Sequence, residues 1–220
     1  MSAIRNPGRR RWLASHLAGG VALAAGLHPF AARAQAADPE LWRRPRELWI
    51  TRPQAQEQLR VVYWADGSVQ WEGYRQLNRI YRDVIAGQQR PIALGLLNLN
   101  YAMQAVLASS VGRRPLVLFS GFRTARTNAL VGGVEPNIHF EGIADDAVFD
   151  GLDLADNYRL ARYYQVGGLG YYPDRGSIHK DIGPRRSWVE FGRAHAARPP
   201  GMRRGWRPGD LSAQDARSQP

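Results

Sequence analysis

Three side chains in this sequence have the types and the spacing to hold a divalent metal ion. His139 opens the run His139-Phe140-Glu141-Gly142-Ile143-Ala144-Asp145-Asp146, and His179 sits in Ser177-Ile178-His179-Lys180-Asp181. Gly142 lets the chain turn between His139 and the strand expected to bear Asp146, so the carboxylate can return to the same point. Two imidazoles and one carboxylate suit zinc, and three protein ligands leave a position for water. Water on such an ion becomes a nucleophile near neutral pH, and the ion also polarises a scissile carbonyl. Spacing alone leaves a blander alternative open, in which both histidines are hydrogen-bonded structural groups or surface residues. His195, the one other histidine after residue 36, lies near the C-terminal end and is expected to face solvent. Cysteine is absent, so no disulfide or lipidated thiol is available, and any metal site must use His, Asp or Glu.

The elements that must position these groups follow from periodicity. Leu48 to Thr51 and Leu59 to Trp64 read as strands, and Ala65-Asp66-Gly67 supplies turn chemistry. Tyr74, Leu77, Tyr81 and Val84 mark one face of a helix ending near Gly87; Leu96, Leu99, Met103 and Val106 line a second, closed by Gly112. Such apolar stripes are core, not function. Leu116 to Phe119 reads as a buried strand, Thr127 to Leu130 as a short helix, and Ile143 to Phe149 as a strand. Leu154 to Tyr164 then reads as a helix, Gly168 to Tyr172 as a strand, and Ser177 to Ile182 as the last strand. Early helices followed by interspersed strands give an α+β domain with a small, mainly antiparallel sheet.

Residues 1–36 read as an address. A basic start (Arg5 to Arg11) precedes a broken apolar stretch and the small-residue run Ala34-Gln35-Ala36. This is a signal peptide cut after Ala36, and Gly8-Arg9-Arg10-Arg11-Trp12-Leu13 has the look of a twin-arginine signal. No stable membrane anchor is expected after its removal. Residues 37–192 form the domain, with a polar lead-in over 37–46, and residues 193–220 form a basic, disordered tail. The formal charge is +11, and removal of the five leader arginines leaves +6. That basic balance suits an anionic wall polymer; with no nucleic-acid motif present, nucleic acid is not expected as a partner.

Three blocks in order carry a resemblance. They are Ser120-Gly121-Phe122-Arg123-Thr124 with Thr127-Asn128-Ala129; then His139, Gly142, Ala144 and Asp146; then Gly167-Gly168-Leu169-Gly170-Tyr171-Tyr172-Pro173 with His179, Asp181, Gly183, Arg186 and Trp188. Together they resemble the periplasmic murein endopeptidases, small zinc peptidases related to the D-alanyl-D-alanine carboxypeptidases and sharing a fold with the hedgehog signalling domain. The likeness spans about residues 45–190. It implies a hedgehog/DD-peptidase-like fold, zinc on His139, Asp146 and His179, peptidoglycan peptides as substrate, and work in the periplasm. It implies Arg123 as a cation near the substrate, with a structural salt bridge as the alternative. Asp181 is either the general base or a group that orients a ligand, the second being favoured because it points the same way along the strand without clear reach to the water.

Several residues depart from the family pattern. Asn137 replaces the usual serine, and the loop from Asn128 to His139 is short. Asp145 replaces an apolar residue, where it would either tune the metal or face solvent from the other side of the strand. Gly176 stands where related carboxypeptidases carry a glutamate, which leaves the base unassigned. Lys180, the only lysine, should point away from the metal. The implied activity is hydrolysis of peptide cross-links in peptidoglycan. The alternatives are a D-alanyl-D-alanine carboxypeptidase, a non-catalytic wall-binding module, and a metal-free structural domain.

Overall fold

The computed structural model describes residues 39–133, 135–164 and 167–191. The leader, His195 and the C-terminal tail lie outside these residues. Among the described residues no helix is long and apolar enough to cross a membrane.

The chain begins in the expected lead-in with a short helix α1 (Pro39–Arg43), followed by β1 (Arg46–Arg52) and β2 (Glu57–Ala65). In β1 every second residue is buried, Arg46, Leu48, Ile50 and Arg52, which is the signature of a sheet with one covered face. Asp66 and Gly67 join β2 to β3 (Ser68–Val69) with φ values of 52° and 72°. Both lie in the left-handed region that a two-residue hairpin turn matched to strand twist requires. Next come α2 (Trp71–Ile80), α3 (Leu94–Ser110), β4 (Leu116–Ser120) and α4 (Ala125–Leu130). The chain then runs through β5 (Ala144–Phe149), α5 (Leu154–Tyr163), β6 (Gly168–Tyr172), β7 (Ser177–Asp181) and β8 (Arg186–Val189).

All eight strands form one sheet in the order β3-β2-β1-β4-β5-β7-β6-β8. The pairings are antiparallel except β1 with β4 and β6 with β8. This is the expected α+β class with a mainly antiparallel sheet. Leu48, Ile50, Leu116, Leu118, Ala147 and Phe149 belong to the core that the sheet shares with α3 and α5. Tyr164 ties those two helices together by donating its hydroxyl to the Ala102 carbonyl at 3.0 Å.

Beyond shifts of a few residues at element ends and the short α1 and β3, two differences from the sequence reading have a clear physical cause. The helix expected to reach Gly87 stops at Ile80, because Asp83 Oδ1 accepts the N–H groups of Ile85 and Ala86 at 3.0 Å each. A carboxylate that takes nearby amides competes with the helical ladder. Ser177 to Asp181 is not the last strand: β8 follows and lies on the sheet edge. Its four residues are exposed or half-buried, so it carries no apolar run to betray it.

Beneath the sheet, Asp145 and Lys180 form an ion pair with side chains 0% and 1% exposed. They face each other directly across β5 and β7. Tyr81 donates its hydroxyl to Asp145 Oδ2 at 3.1 Å, and Asn100 donates its amide to the same oxygen at 2.6 Å. Asp145 therefore neither faces solvent nor points to the side of the sheet that carries Asp146 and His179; it neutralises a buried ammonium on the opposite face. Lys180 does point away from His179, as expected. Removing one partner of such a pair strands a charge in the core and costs about 3–5 kcal/mol, whereas an apolar replacement of both is often near neutral. Asp145→Ala should accordingly lower the unfolding free energy by about that amount, and Asp145→Leu/Lys180→Met by less than half of it, as read from urea denaturation.

Candidate metal centre

Residues paired directly across a ladder share a face, so the rung next to Asp145–Lys180 projects the other way. That rung is Asp146 opposite His179. β4 joins from the far side of β5 with an irregularity. Leu116, Val117 and Leu118 pair in one register with Phe149, Val148 and Ala147, and then Ser120 pairs with Asp146. Phe119 is the extra residue, and a bulge of this kind re-aims the side chain that follows it. Ser120 is thereby brought to the face that carries Asp146.

His139 arrives from the loop before β5. Gly142 ends that loop at φ 69°, and a Cβ there would stand 2.7 Å from the Pro91 carbonyl oxygen. The turn read from the sequence is thus required both by backbone conformation and by close approach. His139 Nδ1 lies 2.8 Å from the Gly121 carbonyl oxygen and donates to it, which leaves Nε2 as the lone-pair nitrogen. Nε2 then stands 3.2 Å from His179 Nδ1 and 3.4 Å from Asp146 Oδ1, and the last two atoms are 3.0 Å apart.

These three atoms match the donor chemistry of a tetrahedral metal site. With bonds of about 2.0–2.1 Å, neighbouring ligand atoms on a tetrahedron are about 3.3–3.4 Å apart. The observed spacings are close to one triangular face of such a figure. His139, Asp146 and His179 are the group of metal-competent side chains found among the described residues.

Each of these three residues is backed by a partner on its far side. His179 Nε2 lies 3.0 Å from Asp181 Oδ2 and donates to it, turning Nδ1 toward Asp146. Asp181 is fully buried, and its Oδ1 accepts the N–H groups of Gly168 and Gly183 at 2.7 Å each. Arg186 closes the set with a 2.7 Å bond to Oδ2. Asp146 gives its second oxygen to Arg123 at 2.8 Å. Arg123 is itself fixed by Ser120 Oγ at 3.0 Å and Asn128 Oδ1 at 3.2 Å. Asn137 donates its amide to the Arg123 carbonyl at 3.0 Å, so the position keeps a hydrogen bond despite the missing serine.

The electrostatics follow the geometry. Burial pushes the Asp146 carboxyl up, but the charges and hydrogen bonds of His139 and His179 outweigh it and hold it well below the usual carboxylate range. Burial pushes His179 down, and its bonds to Asp146 and Asp181 more than reverse that. Asp181 is held low against its own burial by His179 and the Gly168 amide.

Two aromatic residues complete the surroundings without having been given a role from sequence. The Trp188 ring lies against His179, centroids 5.2 Å apart, and its Nε1 donates to the Tyr172 hydroxyl at 3.0 Å. Both stand in the sequence blocks that resemble the murein endopeptidases, but nothing in their spacing singles them out. Gly176 lies in the tight turn between β6 and β7 at φ 60°, so the glutamate of related carboxypeptidases has no counterpart there.

The family described as peptidoglycan L,D-endopeptidase MepK matches residues 41–188. The peptidoglycan L,D-endopeptidase MepK of Escherichia coli (strain K12) is 32% identical over 185 residues, which cover 82% of this chain and 96% of the relative. The protein of that name in Shigella flexneri matches with the same figures. The probable peptidoglycan L,D-endopeptidase MepK of Haemophilus influenzae is 27% identical over 185 residues, 82% of this chain and 95% of the relative. The match runs from α1 to β8, through every residue of the centre, and the chain belongs to the MepK family of metal-dependent peptidases, with the hedgehog/DD-peptidase-like fold that goes with it.

Proposed function

We propose that this protein hydrolyses L,D peptide bonds in the cross-links of peptidoglycan, using a water activated on a zinc ion. The observation that carries the reading is the convergence of His139 Nε2, His179 Nδ1 and Asp146 Oδ1 to within 3.0–3.4 Å of one another. The names of the relatives supply the substrate and the stereochemistry of the bond. Two imidazoles and a carboxylate favour zinc over harder ions, although neighbouring divalent metals accept the same donors. When bound, the ion supplies a nucleophile at neutral pH and a Lewis acid for the carbonyl.

The chain's own residues hold that centre ready. His139 is locked by the Gly121 carbonyl and His179 by Asp181, so neither imidazole has to find its tautomer or ring orientation when substrate arrives. Both oxygens of Asp181 are taken by His179, Arg186 and two backbone amides, which favours a positioning role over that of general base. Arg123 has its guanidinium spent on Asp146, Ser120 and Asn128, which likewise favours orienting a ligand over touching substrate. A peptidoglycan substrate requires work outside the cytoplasm. Export on residues 1–36, by the twin-arginine route, and a mature domain over 37–192 complete the reading.

Purified protein, without residues 1–36, should contain about one zinc per chain. It should also release monomers from cross-linked muropeptide dimers, followed by liquid chromatography and mass spectrometry. His139→Ala and Asp146→Ala should lose both the metal and the release. Stoichiometric metal with no product from intact sacculi would point instead to a wall-binding module, and loss of single alanines from monomers to a carboxypeptidase.

Outer partners of metal ligands contribute roughly 10–100-fold in affinity. Asp181→Asn is expected to weaken zinc binding within that range, measured by competition with a chromophoric chelator. Unchanged affinity would mean that His179 needs no help from Asp181 to stay in place.

A further inference from the structure

The Tyr172 side chain is a group at this centre that neither the hydrolytic reading nor the packing accounts for. It belongs to β6, directly across from Ser177 of β7, two residues along from the pair Gly170–His179. Alternation along a strand puts Gly170 and Tyr172 on one face, the face of His179. Gly170 leaves room there for Trp188, since a Cβ on it would fall 2.7 Å from the indole ring. The indole fills that room, lies against His179 and donates Nε1–H to the Tyr172 oxygen at 3.0 Å. A phenol whose oxygen already accepts a hydrogen bond has one proton left to give. Among the described residues that proton has no acceptor. The Arg175 guanidinium lies over the ring, 5.2 Å from its centroid, and pairs with Glu190 at 3.0 Å. The hydroxyl is therefore half-buried, held by Trp188, and carried on the same sheet face as His179 and Asp146. Burial, then the negative charge of Asp146, push its pKa up to about 12, so it stays a neutral donor throughout the physiological range.

We propose that Tyr172 is a further catalytic residue, whose hydroxyl donates a hydrogen bond to the oxygen of the scissile carbonyl as that oxygen becomes negatively charged. The inference rests on the hydrolytic reading of the centre given above. In the step concerned, the water oxygen bonds to the carbonyl carbon and the π pair of the C=O moves onto its oxygen. Collapse of that tetrahedral species re-forms the carbonyl and breaks the C–N bond, and the proton given up by the attacking water ends on the leaving amine. Tyr172 shares its proton with the oxyanion and keeps it, so no net transfer to or from the phenol is needed. Fixed donors aimed at a developing oxyanion are each responsible for about 10²–10³ in turnover. Trp188 is then the positioning residue that orients the phenol.

The test compares wild type, Tyr172→Phe and Trp188→Phe, each loaded with zinc, on a defined cross-linked muropeptide. Affinity for a phosphinate analogue of the tetrahedral species is measured in parallel by calorimetry. Tyr172→Phe should keep full metal content and a KM within about twofold, lose about 10²–10³ in kcat, and bind the phosphinate more weakly by a similar factor. Trp188→Phe should show a smaller loss, roughly tenfold, in the same two quantities. A Tyr172→Phe enzyme with wild-type kcat and phosphinate affinity would overturn the proposal while leaving the hydrolytic reading intact. Loss of zinc from Tyr172→Phe would also overturn it, because the phenol would then serve assembly of the site. If wild type releases nothing from the muropeptide, both readings fall together.

Discussion

The ion pair of Asp145 with Lys180 is the constraint around which the rest of the molecule is arranged. A lone ammonium in a protein core is intolerable, so wherever Lys180 goes Asp145 must follow. Because the two residues oppose each other on adjacent strands, this demand fixes how β5 and β7 slide against one another. A slip by one residue would turn every side chain of a strand to the wrong face. The pair thus specifies the register, and the register in turn sets Asp146 beside His179. Tyr81 extends the same influence to His139. Its hydroxyl bonds Asp145, its backbone carbonyl accepts the Phe122 N–H at 2.8 Å, and the neighbouring Gly121 carbonyl holds His139. One buried polar cluster is in contact with the chain adjoining all three donors.

The two faces of the central strands therefore do opposite work with the same kinds of groups. On the covered face, the charge of Lys180 is matched by Asp145, which also accepts from Tyr81 and Asn100. On the other face, Asp146 has one oxygen committed to Arg123 and one turned toward two imidazole nitrogens. The groups behind these donors are a backbone carbonyl, a carboxylate and a guanidinium that keep them from rearranging. Preorganisation of this sort is what separates a site from a chance meeting of polar residues.

Much of this was legible in the sequence, and the limits have physical causes. The apolar run Leu48-Trp49-Ile50 in β1 and the Asp66-Gly67 turn could be read from local chemistry. His139, Asp146 and His179 could be singled out because so few histidines compete for the role. The resemblance to murein endopeptidases then raised three separate blocks to one centre. Asp145 defeated local reading because nothing in the neighbouring residues announces Lys180, 35 positions away, as its partner. Strand β8 escaped because its pairing with β6 is parallel and nonlocal, and only two of its four residues, Trp188 and Val189, are apolar. The helix end at Ile80 was misplaced because Asp83 caps the following turn in a way that apolar periodicity does not reveal.

The two histidines present different nitrogens to the cluster, Nε2 from His139 and Nδ1 from His179. An imidazole that uses Nδ1 reaches less far from its Cα than one that uses Nε2. Their amide mimics consequently differ: glutamine is the longer surrogate appropriate to position 139, asparagine the shorter one appropriate to 179. Exchanging those surrogates would offer the right functional group at the wrong radius. The centre is thus lopsided by design of the backbone, with one tether long and drawn from a loop, the other short and rooted in the sheet.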